Sequence, residues 1–113
     1  MSEDALRVDR RLDGAAVVLR ASGEIDMNTA PLLAEELEQA ISTNPELIVV
    51  DLSDVTFFGS AGIAALLNAR EQHTETGGRL RLVATHGPVL RSLEIAGVLE
   101  LLPIYPSIPE ASA

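Results

Sequence analysis

Residues 49–67 read VVDLSDVTFFGSAGIAALL, and this stretch decides the fold of the chain. It continues a nearly unbroken apolar run over 46–52 that is rich in β-branched residues, a pattern typical of a central strand buried on both faces. The residues over 53–60 then predict a loop, and a helix is expected from Ala61 to about Thr74. The loop brings one hydroxyl, that of Ser60, to the start of this helix.

The residues before this stretch predict a β-hairpin and then a helix. Strands are expected over 5–12 and 15–21, because Asp13-Gly14 separates two strand-like runs. A loop over 22–28 follows, in which Asn28 or Thr29 can cap a helix that ends at Ser42-Thr43-Asn44-Pro45. A helix between parallel strands makes a βαβ unit, so the sequence predicts an α/β fold.

The residues after the central stretch continue the alternation. A fourth strand is expected over 79–84, and Gly87-Pro88 opens a third helix that Gly97 ends. Residues 99–102 predict a short strand or turn, and the prolines beyond them predict an extended or briefly helical end. We therefore expect one domain over 1–113, ordered over about 5–111, with a mixed four- to five-stranded sheet and three to four helices.

The composition limits the classes of partner. The 113 residues include 8 basic and 17 acidic side chains, a net charge of −9, and no cysteine. Such a chain repels nucleic acid and anionic membranes. It shows neither a signal-peptide pattern nor an apolar run of about 20 residues that could span a bilayer. We therefore expect a cytoplasmic protein with no nucleic-acid or membrane partner.

The expected place for chemistry is the carboxyl end of the parallel strands, where such sheets carry their ligand sites. The second and third predicted strands end in the loops 22–28 and 53–60, so these loops should be neighbours. Ser60 there has two interpretations. It is the N-cap of the helix that starts at Ala61, or it is a phosphoacceptor whose dianion the helix dipole would tolerate. In the second case, modification would exclude a partner from the apolar rim over 57–59.

Enzymatic and metal-binding interpretations are weaker. A hydrolase nucleophile elbow also places a serine between strand and helix, but it requires glycine where this chain has Phe58. His86 would be the only candidate base. His73 and His86 are the only histidines, so a zinc site is not expected and both are interpreted as solvated side chains. We expect no catalytic residue, no metal and no cofactor.

Several motifs, in order along the chain, resemble the signature of STAS domains. They are GEID over 23–26, TAPLL over 29–33, DLSDVTF over 51–57, SAGI over 60–63 and VLRSLEIAGV over 89–98.

The resemblance implies the fold of a STAS domain and the function of stand-alone bacterial anti-sigma factor antagonists. Such a protein binds an anti-sigma factor that is also a serine kinase, which releases a sigma factor. The kinase then phosphorylates one serine at the start of the second helix and the complex dissociates, until a metal-dependent serine phosphatase resets it. The resemblance places the phosphoacceptor at Ser60. The partner-binding residues that we expect around it are Asp26, Asn28, Thr29, Thr56, Phe57, Phe58, Gly59, Ala61 and Gly62.

One position departs from the family pattern. Aspartate often precedes the phosphoacceptor, whereas this chain has Gly59. Ala61 replaces a second serine, which leaves Ser60 as the only acceptor in the motif, with Thr56 and Ser53 as less well placed hydroxyls. The alternative is a STAS interaction module without phosphorylation, such as a stressosome-like scaffold or a component of a lipid-transport complex.

Overall fold

The computed structural model describes residues 5–85 and 87–113, while residues 1–4 and His86 lie outside the described part. In chain order, the described residues form β1 (Leu6–Asp13), β2 (Ala16–Ile25), α1 (Ala30–Ser42), β3 (Leu47–Phe58), α2 (Ser60–Glu75), β4 (Arg79–Val83), α3 (Gly87–Ala96), β5 (Ile104–Tyr105) and α4 (Ile108–Ser112).

The strands form one mixed sheet in the order β1-β2-β3-β4-β5. The β1–β2 pair is an antiparallel hairpin, and the other neighbours are parallel. Gly14 lies in the two-residue hairpin turn with φ +62°, a conformation that favours glycine. The predicted α/β fold class is therefore confirmed.

Both faces of the central strand β3 are covered, as its apolar pattern predicts. Every residue over 47–52 is buried. The larger core lies between one face of the sheet and helices α1, α2 and α3, and it includes Leu37, Ile48 and Leu93. A smaller cluster on the opposite face packs Val49 against α4. None of the helices in the described part is long and apolar enough to cross a membrane.

The C-terminal third follows the predicted pattern. Helix α3 ends at Gly97, where φ is +72° and the N–H groups of Gly97 and Val98 donate to the carbonyl of Leu93. Residues 99–102 form a turn, which is one of the two predicted alternatives, and α4 is the predicted brief helix.

The ends of β2 and β3 differ from the prediction. The sequence predicts loops from residues 22 and 53, whereas β2 continues to Ile25 and β3 continues to Phe58. The two polar segments pair with each other in parallel, from Ser22 with Asp54 to Ile25 with Phe58. Although both segments are polar, they form strands because their backbones pair with each other across a long distance in sequence.

The buried face of α2 also needs correction. The sequence predicts that His73 is solvated. Leu67 and Arg70 are only partly buried, and Ala69 and His73 are fully buried. Glycine at position 78 makes this possible, since a Cβ at residue 78 would collide with the imidazole of His73.

Candidate functional site

The carboxyl ends of β2 and β3 lie side by side, as the sequence predicts. Ile25 and Phe58 are partners in the parallel register. Immediately beyond them, the N–H of Gly59 donates to the carbonyl of Ile25 at 2.9 Å. The register of the β2–β3 pair shifts between Arg20 and Ser22 and again between Gly23 and Glu24, shortly before this end. The β2–α1 connection and the start of α2 are therefore held against each other.

Ser60 is the first residue of α2 and not its N-cap. The N-cap is Gly59, in extended conformation with φ −96° and ψ −179°, and its carbonyl accepts from the N–H groups of Gly62 and Ile63. The Ser60 side chain is exposed, and its hydroxyl has no hydrogen-bond partner among the described residues. The N-cap interpretation of Ser60 is therefore wrong, because the helix starts one residue earlier than expected, and the phosphoacceptor interpretation stays a prediction.

The first turn of α2 rests directly on the strand ends. A Cβ at Gly62 would lie 2.6 Å from Ile25 Cγ2 and 2.8 Å from Phe58 Cε1, so no side chain fits at this position. Phe58 and Gly62, both predicted to contact a partner, are buried. They form the base on which Ser60 is presented and contribute little to the outer surface.

Asp26 organises the connection from β2 to α1. Its Oδ1 accepts from the N–H groups of Asn28 at 2.9 Å and Thr29 at 3.0 Å. The Thr29 hydroxyl donates to the carbonyl of Glu24 at 2.8 Å and so makes no cap at the N-cap position it occupies. The bond from the Thr29 N–H lowers the pKa of Asp26, partial burial opposes this, and the Asn28 bond lowers the pKa further. Asp26 is therefore ionised at neutral pH and fixes the loop beside Ser60.

Exposed apolar side chains surround this site. Met27 is 79% exposed and Phe57 is 52% exposed. An open groove between the first halves of α1 and α2 continues this surface. It is lined by Met27, Ala30, Pro31, Ala34, Ala61, Ala64, Ala65 and Asn68.

The sequence predicts Phe57 and Ala61 as contact residues, but it does not predict Met27 or the remaining lining residues of the groove. An isolated methionine in a polar loop was the available signal for Met27. The alanines give no such signal, because alanine occurs on both buried and exposed helix faces.

The remaining predicted positions lie around the same strand ends. Thr56 is exposed, and its hydroxyl donates to the carbonyl of Gly23 at 3.3 Å. This hydroxyl therefore already has a hydrogen-bond partner. Ser53 is half-buried farther back along β3. The exposed carboxylates of Glu24 and Asp54 make this end of the sheet acidic.

The structure adds little to the enzymatic and metal-binding interpretations. In the described ranges 5–85 and 87–113, no three His, Asp or Glu side chains are grouped so that they could hold a metal ion. The candidate base His86 lies outside those ranges.

The geometry defines a small α/β domain that presents one exposed serine at a helix start, within an apolar and acidic surface. A model of the STAS domain family matches residues 7–111, so the chain belongs to the STAS family.

Proteins similar to this chain are named as anti-sigma factor antagonists. The chain is 29% identical to the anti-sigma-F factor antagonist RsfA of Mycobacterium tuberculosis over 110 residues, which cover 96% of this chain and 86% of that protein. It is 27% identical to the anti-sigma F factor antagonist of Paenibacillus polymyxa over 101 residues, covering 88% and 86% of the two chains. The crystal structure of an anti-sigma factor antagonist from Mycobacterium paratuberculosis superposes with a TM-score of 0.90 at 30% identity, covering 98% of this chain and 94% of that one.

Proposed function

We propose that this protein is an anti-sigma factor antagonist of the cytoplasm, and that phosphorylation of Ser60 switches its binding off. The observation that carries the proposal is the exposed Ser60 hydroxyl at the first position of α2, without a hydrogen-bond partner among the described residues. A kinase can reach this hydroxyl without first breaking a cap. The partner in this proposal is an anti-sigma factor with serine kinase activity, and a metal-dependent serine phosphatase reverses the modification.

The position of Ser60 explains how a phosphate would leave the fold intact. A phosphoryl group adds roughly −1.5 to −2 charges at neutral pH. At the N-terminus of the 16-residue helix α2, the helix dipole and the unpaired first-turn N–H groups stabilise that charge. The phosphorylated protein therefore keeps its structure and changes its surface.

The surroundings of Ser60 explain why the same phosphate would release a partner. Met27 and Phe57 expose apolar area that a partner would cover, and Ser60 directly precedes Ala61, which lines the adjoining helix groove. Burying a phosphate dianion in such a contact without a compensating cation is costly. The proposed contact surface comprises Asp26, Asn28, Thr29, Thr56, Phe57, Gly59 and Ala61, joined by Met27 and the groove, with Phe58 and Gly62 beneath it.

The test combines phosphate mapping with binding. The purified chain is incubated with ATP and each kinase-type anti-sigma factor of its own cell, and mass spectrometry locates the phosphate. We expect modification at Ser60 and none in Ser60→Ala. The affinity of Ser60→Ala for the anti-sigma factor should stay within about twofold of the wild type. The affinity of the Ser60-phosphorylated chain should fall at least about tenfold, which corresponds to about 1.4 kcal/mol.

A matched control is the pair Ser42→Ala and Ser42→Asp, since Ser42 is an exposed serine at the far end of α1. Both control variants should bind like the wild type. If the phosphorylated and unmodified chains bind the anti-sigma factor equally well, the switch is wrong and the scaffold alternative is favoured.

A further inference from the structure

Among the residues that the structure describes, no strand pairs with the second half of β3 on one of its two sides. The β3–β4 pairing ends at Asp51 with Val83, whereas β3 itself continues to Phe58. Beyond that point β3 pairs with β2 alone, and helix α3 packs against β3. A strand edge in this situation exposes carbonyl groups that need other hydrogen-bond donors.

Ser92 supplies such a donor at the last residue of β3. Its hydroxyl donates to the carbonyl of Phe58 at 2.8 Å, in a partly buried contact between residues 34 apart in sequence. A serine inside a helix often donates to the carbonyl one turn earlier in its own helix. Ser92 instead forms a bond across to another element, which ties α3 to the end of β3.

The peptide unit between Phe58 and Gly59 is therefore fixed from two sides. Its carbonyl accepts from Ser92 of α3, and its N–H donates to the carbonyl of Ile25 in β2 at 2.9 Å. The next residue is Ser60. Two hydrogen bonds from different elements thus set the direction in which the chain enters α2.

We infer that Ser92 is a positioning residue for Ser60: its bond to Phe58 holds the start of α2 in the orientation that presents the Ser60 hydroxyl to a kinase. This inference rests on the proposed phosphorylation of Ser60. Phosphoryl transfer depends chiefly on the positioning of the attacking oxygen, so a looser helix start lowers its rate. Ser92 does not touch the reacting atoms and acts only through the Phe58–Gly59 peptide unit.

The first experiment needs no kinase. Amide hydrogen exchange is measured in the full chain for wild type, Ser92→Ala and Ser92→Thr. We expect Ser92→Ala to accelerate exchange at Gly59, Gly62 and Ile63 by about tenfold, because local opening becomes easier. Exchange at Val50 in the core should change much less, and the retained hydroxyl of Ser92→Thr should restore protection.

The matched control is Ser42→Ala. Ser42 also donates its hydroxyl to a backbone carbonyl, that of Gln39 at 2.7 Å, but it lies at the other end of α1. Its removal should leave exchange at Gly59, Gly62 and Ile63 unchanged. Unchanged exchange at these amides in Ser92→Ala would overturn the inference, as would acceleration of equal size at Val50, which indicates only global destabilisation.

The second experiment measures phosphorylation of Ser60 by the anti-sigma factor kinase. We expect kcat/KM for Ser92→Ala to fall about three- to tenfold, mainly through kcat, with recovery in Ser92→Thr. Equal kcat/KM for wild type and Ser92→Ala would overturn the positioning role even if exchange were altered. A wild-type chain that the kinase never modifies at Ser60 would instead refute the proposed function, so the two failures are distinguishable.

Discussion

Gly62 shows how a single residue sets the position of a whole helix. Its missing side chain allows α2 to contact Ile25 and Phe58 at distances that a Cβ would violate. Ser60 lies two residues earlier on the same turn, so its location depends on this contact. The glycine of the SAGI motif therefore has a packing role that is independent of partner binding.

Gly62→Ala tests this contact at the scale of one residue. Alanine in place of glycine within a helix ordinarily stabilises by about 0.5–1 kcal/mol. Here we expect the free energy of unfolding to fall by about 1–3 kcal/mol, because the added methyl forces the helix away from Ile25 and Phe58. Urea unfolding measures the change, and a gain in stability would contradict the close packing.

Helix α2 carries a buried ionisable side chain at its C-terminal end. His73 is fully buried, and neither ring nitrogen has a hydrogen-bond partner among the described residues. Burial lowers the pKa of His73, while the backbone of Pro45 raises it by less. The folded state therefore favours the neutral imidazole more than the unfolded state does.

The resulting pH dependence has a definite sign. Above the unfolded pKa near 6.5 both states are neutral and the contribution of His73 to stability is complete. As the pH falls from there toward the lowered folded pKa, the unfolded state binds more protons and stability is lost. We expect His73→Leu to lose less of its free energy of unfolding than the wild type between about pH 7.5 and about pH 5. The free energy of unfolding of each chain is measured by urea unfolding at both pH values. An equal loss in the two chains would show that His73 is not buried in neutral form.

The helices and strands differ in how well their boundaries can be predicted from the local sequence. The apolar run before Leu52 and the glycines at positions 14 and 97 predict β3, the hairpin and the end of α3, because local pattern and final structure agree there. The ends of β2 and β3 are not predictable from local pattern, since residues 22–24 are strand residues only through their pairing with Asp54, Val55 and Phe57.

The same distinction applies to the candidate site. The sequence brings Asp26 and Ser60 to one edge of the sheet because parallel strands end together. It does not predict the cap at Gly59, because that depends on where β3 stops. Ser92 and Met27 are missed because a hydrogen bond between distant segments and an exposed apolar side chain leave no periodic pattern.

At the scale of the whole molecule, charge determines how partners approach. The net charge is −9, and Glu24 and Asp54 are exposed at the same end of the sheet as Ser60. This arrangement favours an anti-sigma factor with an apolar contact rimmed by basic residues. Long-range attraction of that kind accelerates association and is screened by salt, since the Debye length is about 8 Å at physiological ionic strength.

We therefore expect the association rate constant with the anti-sigma factor to fall by about tenfold between about 0.05 M and about 0.5 M salt, with little change in dissociation. Asp54→Asn should lower the rate at low salt more than Glu75→Gln, whose site lies at the far end of α2. Surface plasmon resonance measures both rate constants. An association rate that is independent of salt would contradict this view of the partner.

The Ser60 hydroxyl has no hydrogen-bond partner among the described residues, and this affects how the sequence of such a protein can evolve. Because the hydroxyl neither caps α2 nor fills the core, its replacement leaves the fold intact. Under the proposed phosphorylation of Ser60, one substitution would therefore convert a regulated antagonist into a constitutive one. Gly59 has ordinary extended backbone, and a Cβ there would lie 3.2 Å from the exposed ring of Phe57 and 3.7 Å from the carbonyl oxygen of Ile25. Under that proposal, substitutions at residues 59 and 60 would change the signalling of this protein, whereas selection for folding would retain Gly62.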